Sequence, residues 1–268
     1  MTNGYDFASM SGLFALTRGV SPAMADCELT HLPRLSIDVE LAARQHAAYE
    51  RVLESLGCAV HRLSATDEMP DAVFIEDTAV VLDEIAIITR PGAVSRRQET
   101  TAVEEWLKHR VLLARIDPPG TMDGGDVLVV GRRIFVGATA RTNADALDQF
   151  RRIVEYFGYT MTEVDVHGCL HLKSAVTAVG DDVLLVNRAW VPDRAFDGFE
   201  LVDVHPQEKA AANVVRVGRR LVASAAFPWT VERLRARGAD VTTLDLSELA
   251  KAEGAVTCCS LIMKTPES

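Results

Sequence analysis

The sequence predicts an α/β protein built as a closed ring of about five hairpin–helix–strand modules. Three observations carry this expectation. First, short polar turns divide pairs of apolar runs, and their wording repeats: Val-Gly-Arg-Arg stands at 130–133 and again at 217–220, Val-Gly-Asp-Asp at 179–182, and Leu-Asp-Glu at 82–84. Second, a helix-like or loop segment follows each of these hairpins. Third, a further strand-like run closes each unit, so the pattern returns roughly every 40–50 residues, a period of radial or solenoidal arrays rather than of a doubly wound sheet. Neither end shows a polar capping unit, which favours a ring over an open solenoid.

Taken in chain order, residues 39–56 form a long amphipathic helix that leads to a strand at 59–63. The first hairpin pairs 79–82 with 85–88. A helix over 95–109 opens on a capping serine and turns Val103, Trp106 and Leu107 to one side, and a strand follows at 111–116. The second hairpin pairs 127–130 with 134–136. Leu147, Phe150, Ile153, Val154 and Phe157 then mark a helix over 143–157, followed by a strand at 160–166. The third hairpin joins 176–179 to 183–186; the segment 191–199 is short and of no clear period, and a strand spans 201–204. The fourth joins 214–217 to 221–223, with a helix over 229–237 and a strand at 241–244. No Pro/Gly/Ser-rich linker or charge run divides the chain, so residues 1–268 read as one domain.

Composition excludes several classes of function. A hydrophobic content of 48% with 25% charged residues is ordinary for a globular chain, and 268 residues can bury a substantial core. The formal net charge of −10 argues against nucleic acid, which favours basic stripes, and is compatible with a cationic small molecule. No apolar run approaches membrane-spanning length and no signal peptide is evident, so a cytoplasmic chain with no membrane partner is expected. Cys27, Cys58, Cys169, Cys258 and Cys259 contain no Cys-x-x-Cys, which makes a disulfide scaffold or a structural zinc site improbable. In a strand, Cys258 and Cys259 would point to opposite faces and make a poor pair of ligands. A homodimer is compatible with the sequence.

Several segments carry candidate chemistry, each with a plainer reading beside it. In Asp71-Ala-Val-Phe-Ile-Glu76-Asp77-Thr78, two adjacent carboxylates end an apolar run. They are solvated acids at a strand end, or a clamp for a planar cation such as guanidinium. Gly120-Thr-Met-Asp123-Gly-Gly-Asp126 is a tight turn, or a turn that aims Asp123 at a catalytic histidine. His171 interrupts an apolar stretch, as a satisfied core histidine or as a general acid and base. Gly254-Ala-Val-Thr-Cys258-Cys259-Ser260 holds an inert buried cysteine or a nucleophile. Arg96 and Arg141 are solvated decorations, or bidentate partners of a carboxylate.

These segments, in this order, resemble the dimethylarginine dimethylaminohydrolase family of the guanidine-modifying, or pentein, superfamily. The resemblance runs from about Arg18 to Met263. It rests on Pro70-Asp-Ala-Val-Phe-Ile-Glu-Asp77, Ile88-Thr-Arg-Pro-Gly-Ala93 and Ser95-Arg-Arg97. It continues through residues 128–137, Ala140-Arg-Thr-Asn143, Leu170-His-Leu-Lys-Ser174, Ala211-Ala-Asn213 and Val256-Thr-Cys-Cys-Ser260. It is weakest over 12–30. The resemblance implies a five-fold pseudosymmetric α/β propeller of ββαβ modules. It implies Cys258 as nucleophile, His171 as general acid and base, and Asp123 as the carboxylate that orients the histidine. Glu76 and Asp77 would surround the guanidinium, and Arg96 and Arg141 would bind the amino-acid end. Asp71, Leu29 and the backbone of Ala252 would be further substrate contacts.

The implied reaction converts an N-methylated arginine to citrulline and an alkylamine through a covalent thiouronium on Cys258, with no metal or organic cofactor. Zinc bound at Cys258 and His171 would inhibit it. Two alternatives stay open: an arginine deiminase-like hydrolase acting on free arginine, and a propeller that binds arginine-like ligands without turnover.

Overall fold

The computed structural model describes residues 12–264. The chain begins with β1 (Leu13–Arg18), α1 (Val39–Ser55) and β2 (Cys58–Leu63). The next module holds β3 (Ala79–Val81), β4 (Ile85–Ile88), α2 (Thr100–Leu107) and β5 (Leu112–Arg115). A third is made of β6 (Val127–Val130), β7 (Arg133–Ala138), α3 (Ala144–Tyr156) and β8 (Thr160–Asp165). Then come α4 (Leu172–Ala175), β9 (Val176–Ala178), β10 (Val183–Val186) and β11 (Glu200–Asp203). The last strands and helices are β12 (Val214–Val217), β13 (Arg220–Ser224), α5 (Pro228–Ala236), β14 (Asp240–Leu244), α6 (Ser247–Ala250) and β15 (Leu261–Lys264).

These strands form five three-stranded sheets with one plan. A tight turn can join only antiparallel neighbours, whereas a parallel third strand needs a crossover. Accordingly β3 runs antiparallel to β4, α2 carries the chain back, and β5 pairs parallel to β4. The sheets of β6–β8, β9–β11 and β12–β14 repeat the arrangement. The fifth sheet is assembled from both ends of the chain: β1 pairs antiparallel with β15 (Leu13↔Lys264, Leu16↔Leu261) and parallel with β2. This is the expected propeller, closed by a strand the sequence did not reveal. β1 is the middle strand of its sheet and is buried from Phe14 onward, so it lacks the alternation that marks a half-exposed strand.

Other differences from the sequence reading are local. The expected helix over 95–109 divides into a 3-10 turn, Val94–Glu99, followed by α2, because Arg96 and Glu99 turn inward to a buried ion pair. The unclear segment 191–199 holds only the short turn Asp193–Phe196, whose Phe196 packs on Phe135 with ring centroids 5.1 Å apart.

The core lies between neighbouring sheets and under the helices. Val80 and Ile87 meet Val127, Ile134 and Val136, and α3 covers them with Leu147, Phe150 and Val154. Each such side chain contributes about 1.5–3 kcal/mol by leaving water. Asn143 starts α3 by accepting from the Ala146 N–H at 3.0 Å, as its sequence position before an amphipathic run requires. The first strand of each sheet faces the ring axis, where Val80, Leu128, Thr177, Val215 and Ile262 line a common channel.

Candidate active site

The ring places one chain segment per module at the head of its inner strand, and these segments converge. Asp77 precedes β3, Asp123 precedes β6, His171 precedes β9, Asn213 precedes β12 and Cys258 precedes β15. A small cavity there is lined by Asp71, Asp77, Arg96, Arg141, His171, Ala252 and Cys258, together with Glu28 and Glu253.

Cys258 sits in the 3-10 turn Thr257–Cys259 rather than in a strand. It is half-buried at the cavity wall, while its neighbour Cys259 is fully buried in the core. Burial first, and then the negative charges of Glu76 and Asp77, push the Cys258 thiol up to about 12, and Lys173 offsets this only in part. Without a ligand, the site therefore holds a neutral thiol.

His171 is the residue that precedes α4, and Leu172 N–H is held by Asp126 Oδ1 at 3.0 Å. The His171 ring meets Asp123 Oδ2 through Nε2 at 3.1 Å and lies 3.9 Å from Asp77 Oδ1 through Nδ1. Burial opposes a charge on this ring, but Asp77, Asp123 and Asp126 outweigh it and raise the imidazole to about 9. At neutral pH it is an imidazolium. Asp77 responds in the opposite sense: burial would raise it, yet His171 and Arg96 hold it down at about 2. Asp77 accepts from Arg96 Nη1 at 2.6 Å and from Gly125 N–H at 2.9 Å. Asp123 is fully buried behind the histidine and accepts from Gly92 N–H at 2.8 Å.

The two glycines after Asp123 are demanded by packing. A Cβ on Gly124 would stand 2.0 Å from Glu76 O, and one on Gly125 would stand 2.5 Å from His171 Nδ1. The histidine lies against bare backbone, so no larger residue fits the turn without moving the ring.

Glu76 and Leu29 take other places. Glu76 faces the axial channel, away from the lining of the Cys258 cavity, because it accepts from Lys173 Nζ at 2.5 Å and from Thr257 Oγ1 at 2.7 Å. Leu29, like Cys258, packs against the edge of a core cluster. Arg96 lines the cavity, but its guanidinium is engaged by Asp77, by Glu99 at 2.9 Å and by Phe74 O at 3.0 Å. Arg141 donates to Thr30 Oγ1 at 2.9 Å and lies 3.8 Å from Asp123.

A polar floor that the sequence reading did not single out ties these segments together. Asn213 Oδ1 accepts from Thr257 N–H at 3.0 Å, and its Nδ2 donates to Thr257 Oγ1 at 2.9 Å and to Lys173 O at 3.0 Å. Thr257 adjoins Cys258 and Lys173 lies two residues beyond His171, so the floor grips both elements from below. The signal was present: Asn213, like Asp77 and Asp123, is a polar residue a few positions ahead of its inner strand.

Asp77, Asp123 and His171 offer ligand atoms within 4.8 Å of one another. A cation placed there would have to displace the His171 proton and compete with the Arg96 and Gly125 donors, which disfavours it. What the cavity suits is a planar organic cation: buried carboxylates, a thiol and a proton-bearing imidazole face one small volume.

Comparison with known proteins agrees with this chemistry. A family profile described as N,N dimethylarginine dimethylhydrolase, eukaryotic, matches residues 34–263. An N(G),N(G)-dimethylarginine dimethylaminohydrolase of Streptomyces coelicolor is 40% identical over 253 residues, covering 93% of this chain and 96% of that protein. One from Pseudomonas aeruginosa is 35% identical, covering 84% and 89%. A solved structure of the Pseudomonas aeruginosa enzyme, as a cysteine-to-serine mutant complexed with citrulline, superposes with a TM-score of 0.89 at 32% identity, covering 95% of this chain and 100% of that one. The fold likeness extends to the N-terminal domain of a cyanobacterial arginine dihydrolase at a TM-score of 0.86 and 18% identity. With a profile spanning most of its length and relatives at this identity, the chain belongs to the dimethylarginine dimethylaminohydrolase family.

Proposed function

We propose that this chain hydrolyses N-methylated arginine, as dimethylarginine or monomethylarginine, to citrulline and an alkylamine. The observation that carries the reading is the cavity itself, which sets the Cys258 thiol beside the His171 imidazolium and the ionised Asp77 in a ring of the family's fold. The relative solved with citrulline supports the product.

In this reading Asp77 holds the guanidinium and keeps it charged, so its central carbon stays electrophilic, while Asp71 contacts the substrate toward its amino-acid end. The bound cation also changes the thiol. A positive charge at the cavity wall offsets the negative field that keeps Cys258 neutral, and the proton leaves to solvent as the thiolate forms. Sulfur then bonds to the central carbon, and His171 gives its proton to the departing amine as the carbon–nitrogen bond breaks. A thiouronium remains on Cys258. Neutral His171 takes a proton from water as the hydroxyl bonds to the same carbon. The carbon–sulfur bond then breaks while the hydroxyl proton passes to the departing Cys258 sulfur and the citrulline carbonyl forms. Asp123 keeps the imidazole ring in place throughout. Arg141 meets the substrate carboxylate, with Arg96 bordering it while it fixes Asp77, and the backbone of Ala252 and Leu29 serves the amino group. Glu76 acts from below, by holding Thr257 and Lys173. No metal or organic cofactor enters these steps.

The reading takes residues 1–268 as one catalytic domain acting in the cytoplasm on a small guanidino substrate, with a homodimer as the compatible assembly. All five cysteines are free, and no helix among the described residues is long and apolar enough to cross a membrane.

The test is citrulline release from dimethylarginine, monomethylarginine and arginine side by side. Turnover of the methylated substrates is expected, and no citrulline from any of the three overturns the reading. Cys258→Ser should abolish both turnover and covalent trapping, whereas Cys259→Ser should retain much of the activity. The opposite pattern would reassign the nucleophile.

A further inference from the structure

Glu253 is the one non-glycine residue among the described residues with a left-handed backbone, at φ +60°. That conformation is strained for a side chain and free for glycine, which the chain uses at positive φ elsewhere, for example at Gly57, Gly158 and Gly238. A glutamate kept at such a place is a reason to ask what its side chain does. Its carboxylate accepts three consecutive backbone N–H groups, from Thr30 at 3.0 Å, His31 at 2.5 Å and Leu32 at 2.6 Å. This is an anion seated in a backbone nest. Glu253 also borders the Cys258 cavity between Ala252 and Gly254, which border it too.

We propose that Glu253 is a positioning residue that determines how well the amino-acid end of the substrate is held, by latching residues 30–32 across the cavity mouth. The proposal rests on the reading of the chain as a methylarginine hydrolase. The same loop is tied on its other side to groups assigned to that end of the substrate. Glu28 N–H donates to Asp71 Oδ2 at 3.0 Å, Arg141 donates to Thr30 at 2.9 Å, and the Glu28 carboxylate accepts from Ser95. Leu29 lies between the tied residues, so its backbone carbonyl is set by the latch on one side and by Asp71 on the other. The guanidinium end is built from Asp77, His171 and Cys258, on other segments of the ring. Releasing the loop should therefore weaken recognition of the amino-acid end and leave the reacting end intact.

Glu253→Gly tests this without adding strain, because glycine adopts the left-handed backbone at no steric cost. Its melting temperature should stay close to that of the wild type. KM for dimethylarginine should rise about tenfold, as fits the loss of a few charge-assisted hydrogen bonds, while kcat changes by less than about threefold. Glu253→Gln, with an amide oxygen in place of the carboxylate, should fall between the two. Chloroacetamidine provides the second readout. It carries an amidinium and an electrophilic carbon but no amino-acid end, and it alkylates the Cys258 sulfur as chloride leaves. Its rate of inactivation should be the same in wild type and Glu253→Gly. An unchanged KM in Glu253→Gly overturns the proposal, as does a parallel fall in kcat and in the alkylation rate. If wild type forms no citrulline at all, the parent reading fails by itself. The latch is then decided by calorimetric Kd values for dimethylarginine, which should still weaken in Glu253→Gly and whose constancy overturns the proposal.

Discussion

At the scale of single residues, the site depends on charges that set one another. His171 is held at about 9 against an ordinary value of 6.5, and Asp77 at about 2 against 3.8. A raised imidazole stabilises the fold fully below its unfolded value, and the contribution disappears as pH rises through the folded value. A depressed carboxylate contributes above its unfolded value and loses the contribution as pH falls through the folded one. The pair thus supports the fold most between about pH 4 and pH 6.5. The margin in melting temperature between wild type and His171→Asn should shrink as pH rises from about 6.5 to about 9. On the proposed mechanism, kcat/KM should fall above about pH 9, where His171 loses the proton it would give to the leaving amine. A kcat/KM that is flat to pH 10.5 would place the acid elsewhere. In the sequence, His171 was a histidine inside an apolar stretch, and its residue type alone suggested proton transfer. Its unusual affinity for that proton comes from Asp77, Asp123 and Asp126, which lie 45 or more residues away along the chain.

At the scale of elements, the site is built from short turns at strand ends rather than from the long helices. The 3-10 turn Gly124–Asp126 brings its backbone under the His171 ring, and Gly125 N–H anchors Asp77. Gly125→Ala should move the ring and remove this alignment. Citrulline formation should drop about 100-fold, the usual consequence of a displacement near 1 Å. A melting curve should show that the variant still folds, and near-normal activity would mean that the ring tolerates the shift. Elements with strong local signals were legible in the sequence: α3, with its Asn143 cap and apolar stripe, spans Ala144–Tyr156 within the expected 143–157. The short turns were not, because three to six residues carry no clear period and their geometry is set by buried partners. Arg96 shows this well. It stood at the start of an expected helix, yet Asp77, Glu99 and the carbonyl of Phe74 hold it in a 3-10 turn.

At the scale of the whole molecule, one sheet plan repeats around the axis, and the chain closes the ring with its own ends. β15 and β1 pair in register, so Leu13 and Lys264, close to the two described ends, lie side by side. A circular permutant that joins the native termini and opens the chain at Gly131, in the turn between β6 and β7, should therefore fold. Its circular dichroism should match wild type and its citrulline formation should stay within about tenfold, since the segments bearing Asp77, Asp123, His171 and Cys258 are left intact. Failure to fold would contradict the closure by β1 and β15. The repeat itself was legible, because four hairpins carry similar turns. The fifth was hidden, since its two strands stand at opposite ends of the sequence and no turn joins them.

The sequence by itself determined the repeat, the helices with caps and apolar stripes, and the set of residues able to handle a guanidinium. Those properties are local: periodicity, turn chemistry and residue type need only neighbours along the chain. Only the tertiary structure decided that Glu76 faces the axial channel beside Lys173 while Asp77, next to it, faces the thiol. It also decided that Asn213 and Thr257 form a floor beneath Cys258, and that Glu253 reaches back more than 200 residues to accept from the backbone of residues 30–32. Those assignments depend on which charges and hydrogen-bond partners the closed ring brings together, and the physical reason is burial: inside the ring each polar group must find a partner, and the partner is chosen by the fold.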